Sequence, residues 1–286
     1  MTQTVPTNIP FTSNILESCI HILADKYPCL DVTTIGHSRR GRPIHALSLG
    51  NGPVSYMYNA AHHANEWITA VILARFAEEM AQEVESEWHN PHKSQWHQRA
   101  TLHMIPMVNP DGVDMVISGL APKTWKANAI GVDLNSNYPA GWELARKHKY
   151  DRGYTAPGPR DYVGPAPLCE PESMAMHAYT RLIAPTLTIS LHTQGEEIYW
   201  RYRHYMPTGA AEMADRLAKA SGYLLEDVPS ESSHAGYRDW FIQEFNRPGY
   251  TIECGLGESP LPLSDFGGIY KKVRPLMLSA LDFDTK

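Results

Sequence analysis

The sequence predicts an α/β domain, with one mixed central sheet covered by helices on both faces. Three observations support this. Short apolar runs of strand length alternate with longer stretches of helical period along most of the chain. At 286 residues the chain is near the upper size for one hydrophobic core, so residues 1–286 are expected to form a single domain. Several polar residues of catalytic type fall just past the ends of the expected strands, where ligand sites in such folds lie.

The elements follow in chain order. Thr12 or Ser13 can cap a first helix running through Ile15, Ile20, Ile22 and Leu23. Strands are expected at Val32–Ile35 and Ile44–Leu49, joined by a turn rich in Arg and Gly over His37–Pro43. Val54–Tyr58 reads as a buried strand that stops just before a His-rich segment. Ile68 to Val84 has helical period, with Ile68, Val71, Ile72, Ala74 and Phe76 on or near one face. Leu102–Val108 is the next strand, and Asn109-Pro110-Asp111-Gly112 reads as a turn. Residues 119–168 are rich in Gly, Pro, Asn and Trp with little periodicity, and a loop of that length is more often functional than not. Then come a helix from Pro171, strands at Thr186–Leu191 and Ile198–Tyr202, and helices near Ala210–Ala220 and Tyr237–Phe245. Strand Tyr250–Glu253 and a helix near Ser264–Leu281 complete the order.

Composition narrows the function. Hydrophobic residues make up 43% and charged residues 20%, as in globular proteins that stay in water. Net charge is −6 and no dense Lys/Arg run occurs, so neither nucleic acid nor a membrane surface is an expected partner. The N-terminal residues lack the basic and apolar regions of a secretory signal, and no stretch is long enough to span a bilayer. Four cysteines lie far apart without a CxxC pair, so free thiols and a cytoplasmic setting are expected. Nothing in the chain sets an oligomeric state.

His63-Ala64-Asn65-Glu66 and the distant His192 carry the chemistry. An imidazole and a carboxylate three residues apart can grip one metal, and a second imidazole would complete three ligands with a fourth position open. Taken singly, each residue has a plainer reading. Glu66 suits a helix N-terminus by its charge alone, His62 could pair with Glu66 at four residues' spacing, and a lone His after an apolar strand is commonly just hydrogen-bonded. No HExxH, P-loop, GxSxG or GxGxxG occurs.

The surroundings decide. Gly41-Arg42-Pro43-Ile44, Glu66-Trp67-Ile68-Thr69, Asn109-Pro110-Asp111-Gly112, Gly131-Val132-Asp133-Leu134-Asn135 and Tyr250-Thr251-Ile252-Glu253 occur in that order. Together they resemble the zinc metallocarboxypeptidases of the funnelin type, from about Ile35 to about Gly255. Trp125–Asn128, Val132–Pro139 and Pro167–Glu172 look like a bacterial branch of that family, the γ-D-glutamyl-meso-diaminopimelate peptidases, which cut the cell-wall stem peptide. The resemblance implies an eight-stranded mixed sheet and one zinc ion per chain, held by His63, Glu66 and His192, with His62 as a neighbour. It implies Glu253 as general base and acid, and Lys126 as the cation that stabilises the oxyanion, where digestive relatives place an arginine. Trp125 beside it suggests an ordered loop.

Two departures bear on substrate. Exopeptidases of the family have Asn-Arg where this chain has Asn135-Ser136, and that Arg clamps the terminal carboxylate. Ser136 cannot, although Asn135 can still hydrogen-bond substrate. Arg238 falls at or near the residue that sets side-chain preference, and its guanidinium suits an anionic group such as the far end of diaminopimelate. Tyr237 or His234 is expected to close over the site; Glu196 and Glu197 read as solvated charges. The resulting expectation is a zinc peptidase acting on the amide of diaminopimelate in small muropeptides. The rivals are a carboxypeptidase releasing acidic C-terminal residues and an inactive wall-peptide binding protein.

Overall fold

Residues 3–87, 96–229 and 233–283 are described by a computed structural model of the chain. The first helix, α1 (Ser13–Lys26), starts where Thr12 Oγ1 accepts the Ile15 N–H. Strands β1 (Leu30–His37) and β2 (Pro43–Leu49) form an antiparallel pair. Next come β3 (Val54–Ala60), the long helix α2 (Ile68–Glu87), a short α3 (Trp96–Arg99) and β4 (Ala100–Ile105). The chain continues through α4 (Pro110–Ser118), α5 (Trp142–Asp151), α6 (Pro171–Ile183) and β5 (Leu187–His192). It ends with β6 (Glu197–Tyr199), α7 (Ala210–Ser221), β7 (Leu224–Glu226), α8 (Tyr237–Phe245), β8 (Gly249–Glu253) and α9 (Phe266–Ala280).

The eight strands among the described residues join one mixed sheet in the order β1-β2-β4-β3-β5-β8-β6-β7, matching the expected fold class. The centre, β4-β3-β5-β8, is parallel, and antiparallel pairings lie to either side. Helices cover both faces, which explains why the central strands are buried throughout. Residues of α1, α2, α7 and α9 pack with Leu47, Leu49, Tyr56 and Tyr58 in the larger core. On the other face, Met176 of α6 and Trp240 of α8 pack with Ala46, Met57 and Ile105. Alternate residues of β2 and β3 thus feed opposite cores, as the period of two requires.

Several elements depart from the sequence reading. Asn-Pro-Asp-Gly is not a free turn but the start of α4: Asn109 Oδ1 accepts the Gly112 N–H at 3.0 Å and Pro110 opens the helix. Gly112 is required there, because a Cβ would lie 2.7 Å from the Ala127 carbonyl oxygen. Residues 119–168 contain α5, and β7 joins the sheet edge unannounced. The four cysteines are free thiols, as expected. No helix among the described residues is long and apolar enough to cross a membrane.

Candidate active site

Three adjacent parallel strands point their C-terminal ends at one place. β3 leads into His63 and Glu66, β5 ends at His192, and β8 ends at Glu253. His192 and Glu253 are register partners across β5 and β8, so residues 61 positions apart in sequence lie side by side. Such strand ends are where open α/β sheets place ligands.

The segment after β3 is fixed by local hydrogen bonds. Thr69 Oγ1 donates to the Glu66 carbonyl at 2.6 Å and accepts the Ala61 N–H at 3.0 Å. Asn109 Nδ2 donates to the carbonyls of His62 and Ala127, both at 3.1 Å. The Ala64 N–H donates to the Lys126 carbonyl at 3.0 Å. Asn109 therefore does two jobs, starting α4 and tying the His62–Glu66 turn to the loop that carries Lys126.

Glu66 is the hub. Its Oε1 lies 2.9 Å from His63 Nδ1 and 2.9 Å from Lys126 Nζ, and its Oε2 lies 2.8 Å from His192 Nδ1. The ligand atoms of His63, Glu66 and His192 all lie within 4.8 Å of one another. Two imidazole nitrogens and one carboxylate, open to a cavity, form a donor set that fits zinc. His63 Nε2 faces Asp133 Oδ1 at 3.3 Å, which orients the ring as carboxylates behind metal-binding histidines do. His62 turns away, its Nε2 3.0 Å from Tyr138 Oη.

The charges follow from this packing. Burial pushes Glu66 up, but His63, Lys126 and His192 outweigh it and hold its carboxyl well below the usual range. Burial pushes His63 down, yet Glu66 and Asp133 prevail against it and raise the imidazole to about 9. His192 is held low, chiefly by burial. Burial also lowers Lys126, but Glu66 beside it prevails and keeps the ammonium charged. Glu253 is pushed up to about 8, first by burial and then by the Glu66 charge, which makes it a carboxylate with a strong demand for a proton.

A cavity of about 440 Å³ opens over this group, lined by Lys126, Asn135, Arg238 and Glu253 among others. Asn135 Nδ2 lies 3.5 Å from His192 Nε2, and its Oδ1 accepts the Tyr237 N–H at 3.0 Å. Arg238 is paired with Asp239, which also lines the cavity, and its buried Nε finds no partner among the described residues. Ser136 is buried and does not reach the cavity. Trp125 is held through Nε1 to the Asn128 carbonyl at 3.2 Å.

Tyr237 is a correction. It does not close over the site: its ring lies fully buried between Tyr138 and Trp240, and its hydroxyl sits 2.9 Å from Thr180 Oγ1. The helical period of α8 turns residue 237 into the core while 238 and 239 face the cavity. Tyr237→Phe should therefore cost about 1 kcal/mol of stability, from the lost hydrogen bond, and leave kcat unchanged; thermal unfolding and steady-state rates check this. His234 is not in the cavity wall either, with Nδ1 3.1 Å from Tyr202 Oη. Glu196 pairs with Lys272 at 2.7 Å, and Glu197 accepts the Tyr199 hydroxyl at 2.6 Å. The sequence reading assigned no role to Asp133, Arg160 or Asp239. Asp133 at least lay inside a quoted motif; the other two carried no periodic or motif signal.

Comparison with known proteins agrees with this geometry. The profile of the zinc carboxypeptidase family matches residues 16–266. A γ-D-glutamyl-L-diamino acid endopeptidase of Lysinibacillus sphaericus is 39% identical over 279 residues, covering 91% of this chain and 69% of that protein. Carboxypeptidase A of Helicoverpa armigera superposes with a TM-score of 0.74 at 18% identity, over 98% of this chain and 76% of its own. The murein-tripeptide amidase of Escherichia coli O157 gives a TM-score of 0.56 at 20% identity, over 89% and 93%.

Proposed function

Because the chain belongs to the zinc carboxypeptidase family, we propose that it hydrolyses the amide between γ-D-glutamate and meso-diaminopimelate in small cell-wall peptides. The observation that carries this reading is Arg238 in the cavity wall, with an unpartnered Nε and the Asp239 carboxylate beside it. A cation and an anion side by side suit the far end of diaminopimelate, which bears both a carboxylate and an amine. Ser136, which offers no charge, supports the same view, because an ordinary C-terminal carboxylate would have no arginine to meet it there. The related endopeptidase of L. sphaericus acts on γ-D-glutamyl-L-diamino acid bonds, as its name states.

In this reading His63, Glu66 and His192 hold one zinc ion per chain. Bound there, zinc supplies Lewis acidity to the scissile carbonyl and lowers the pKa of water toward about 7. Glu253 takes the proton of the attacking water and returns it to the leaving amine of diaminopimelate. In the metal-free site burial and the Glu66 charge raise its affinity for a proton. Lys126, charged and anchored on Glu66, faces the oxygen where negative charge develops. Asn135 and Arg238 hold the diaminopimelate so that its amide lies between Lys126 and Glu253. The free thiols support a reducing, cytoplasmic setting, where the substrates would be released wall fragments.

The test compares kcat/KM for L-Ala-γ-D-Glu-meso-diaminopimelate with that for an ordinary peptide ending in glutamate. The γ-linked tripeptide should be cleaved faster. Faster release of glutamate would assign the enzyme to acidic C-termini instead.

A further inference from the structure

Arg160 lies outside every role assigned above, yet its side chain reaches the cavity wall. It sits beside Lys126, because the N–H groups of Lys126 and Ala127 both donate to the Pro159 carbonyl, at 2.7 and 3.0 Å. The guanidinium is held from one side only. Nε donates to Asp161 Oδ2 at 2.8 Å, while the two terminal nitrogens have no partner among the described residues. Asp161 is itself fixed: it forms an ion pair with Lys149, and its N–H donates to Asp133 Oδ2 at 3.1 Å. An arginine braced at Nε, with both terminal nitrogens open to a cavity, is set up for bidentate carboxylate binding.

Exposure orients a substrate between the two arginines. The Arg238 side chain is 6% exposed and that of Arg160 is 51% exposed. A leaving group that ends the chain fits the buried end, and the acyl part, with whatever precedes it, extends through the mouth past Arg160. On the acyl side a γ-D-glutamyl amide differs from most peptide bonds in a respect that bears on Arg160. Its α-carboxylate is free and lies a few bonds from the scissile carbonyl, where an α-linked residue other than an acidic one offers no carboxylate.

We propose that Arg160 binds the free α-carboxylate of the γ-linked glutamyl unit, and so selects on the acyl side for a unit that carries a free carboxylate. This rests on the murein-peptide reading above and adds a second carboxylate anchor to it. Arg160 is thereby a specificity-determining residue; it takes no part in proton transfer.

The test uses two tripeptides that differ only at the glutamyl α-carbon: L-Ala-γ-D-Glu-meso-diaminopimelate, and its α-carboxamide analogue. Loss of one charge-assisted contact corresponds to about 10- to 100-fold in kcat/KM. The wild-type enzyme should prefer the carboxylate by that factor. Arg160→Ala should lose that factor on the carboxylate substrate, change little on the carboxamide, and so abolish the preference. Arg160→Lys, which keeps the charge without the fork, should recover part of it. A wild-type enzyme that treats both substrates alike, or an Arg160→Ala variant that slows equally on both, overturns the proposal while the murein reading stands. If the wild type cleaves neither, both fall together. Unchanged thermal unfolding of Arg160→Ala separates these results from misfolding.

Discussion

Glu253→Gln is expected to lower kcat by about 10²- to 10⁴-fold, with KM and metal content nearly unchanged. The substitution keeps the shape of the side chain at the end of β8 and removes only the capacity to take a proton. The site around it should stand, because none of the hydrogen bonds that fix Glu66 runs through the Glu253 side chain. Position explains the size of the effect. Glu253 is the register partner of His192 and shares the cavity wall with Lys126, so it lies beside both the His63–Glu66–His192 group and Lys126. Steady-state rates and metal analysis on the same preparation check this. A variant with full activity would remove Glu253 from proton transfer.

Loss of metal should be more severe still. A chelator, or His192→Ala, is expected to bring turnover to background, and added zinc should restore the chelated wild type but not the variant. Thermal stability should fall together with metal content, because a ligand bound only by the native state stabilises it. The pH dependence follows from His63. Metal needs the neutral imidazole, and Glu66 and Asp133 hold His63 protonated up to about 9 in the metal-free site. Below that pH the metal must displace a proton, so its affinity should fall by about tenfold for each unit of pH lost, with about one proton released per ion. Metal titration by calorimetry in buffers of different ionisation heat would show it.

Much of this molecule is legible in its sequence, for physical reasons that can be named. α2 is legible because it is long and apolar through most of its first three turns, which are buried on nearly every side. β3, β5 and β8 are apolar runs cut off by polar residues, and those polar residues are the site. α5 is hidden because half of Trp142–Asp151 is charged and the helix buries only Trp142, Ala145 and Lys149. β7 has three residues at a sheet edge, too few for a period. The turn chemistry of Asn109–Gly112 was read correctly as chemistry and wrongly as a turn, since the same residues also start helices. Tyr237 was misplaced for a related reason: nearness to Arg238 in sequence says nothing about which face of α8 it occupies. Arg160 and Asp133 owe their places to a loop whose path is set by hydrogen bonds between distant residues, and no local pattern reports those.

The proposed reaction is the cleavage of one bond, between γ-D-glutamate and diaminopimelate. Mass spectrometry of the products from a small panel of muropeptides, with and without chelator, tests it most directly. The expected products are L-Ala-D-Glu and diaminopimelate from the tripeptide, and none once the metal is removed. Cleavage at another bond, or the same products formed in the presence of chelator, would contradict it.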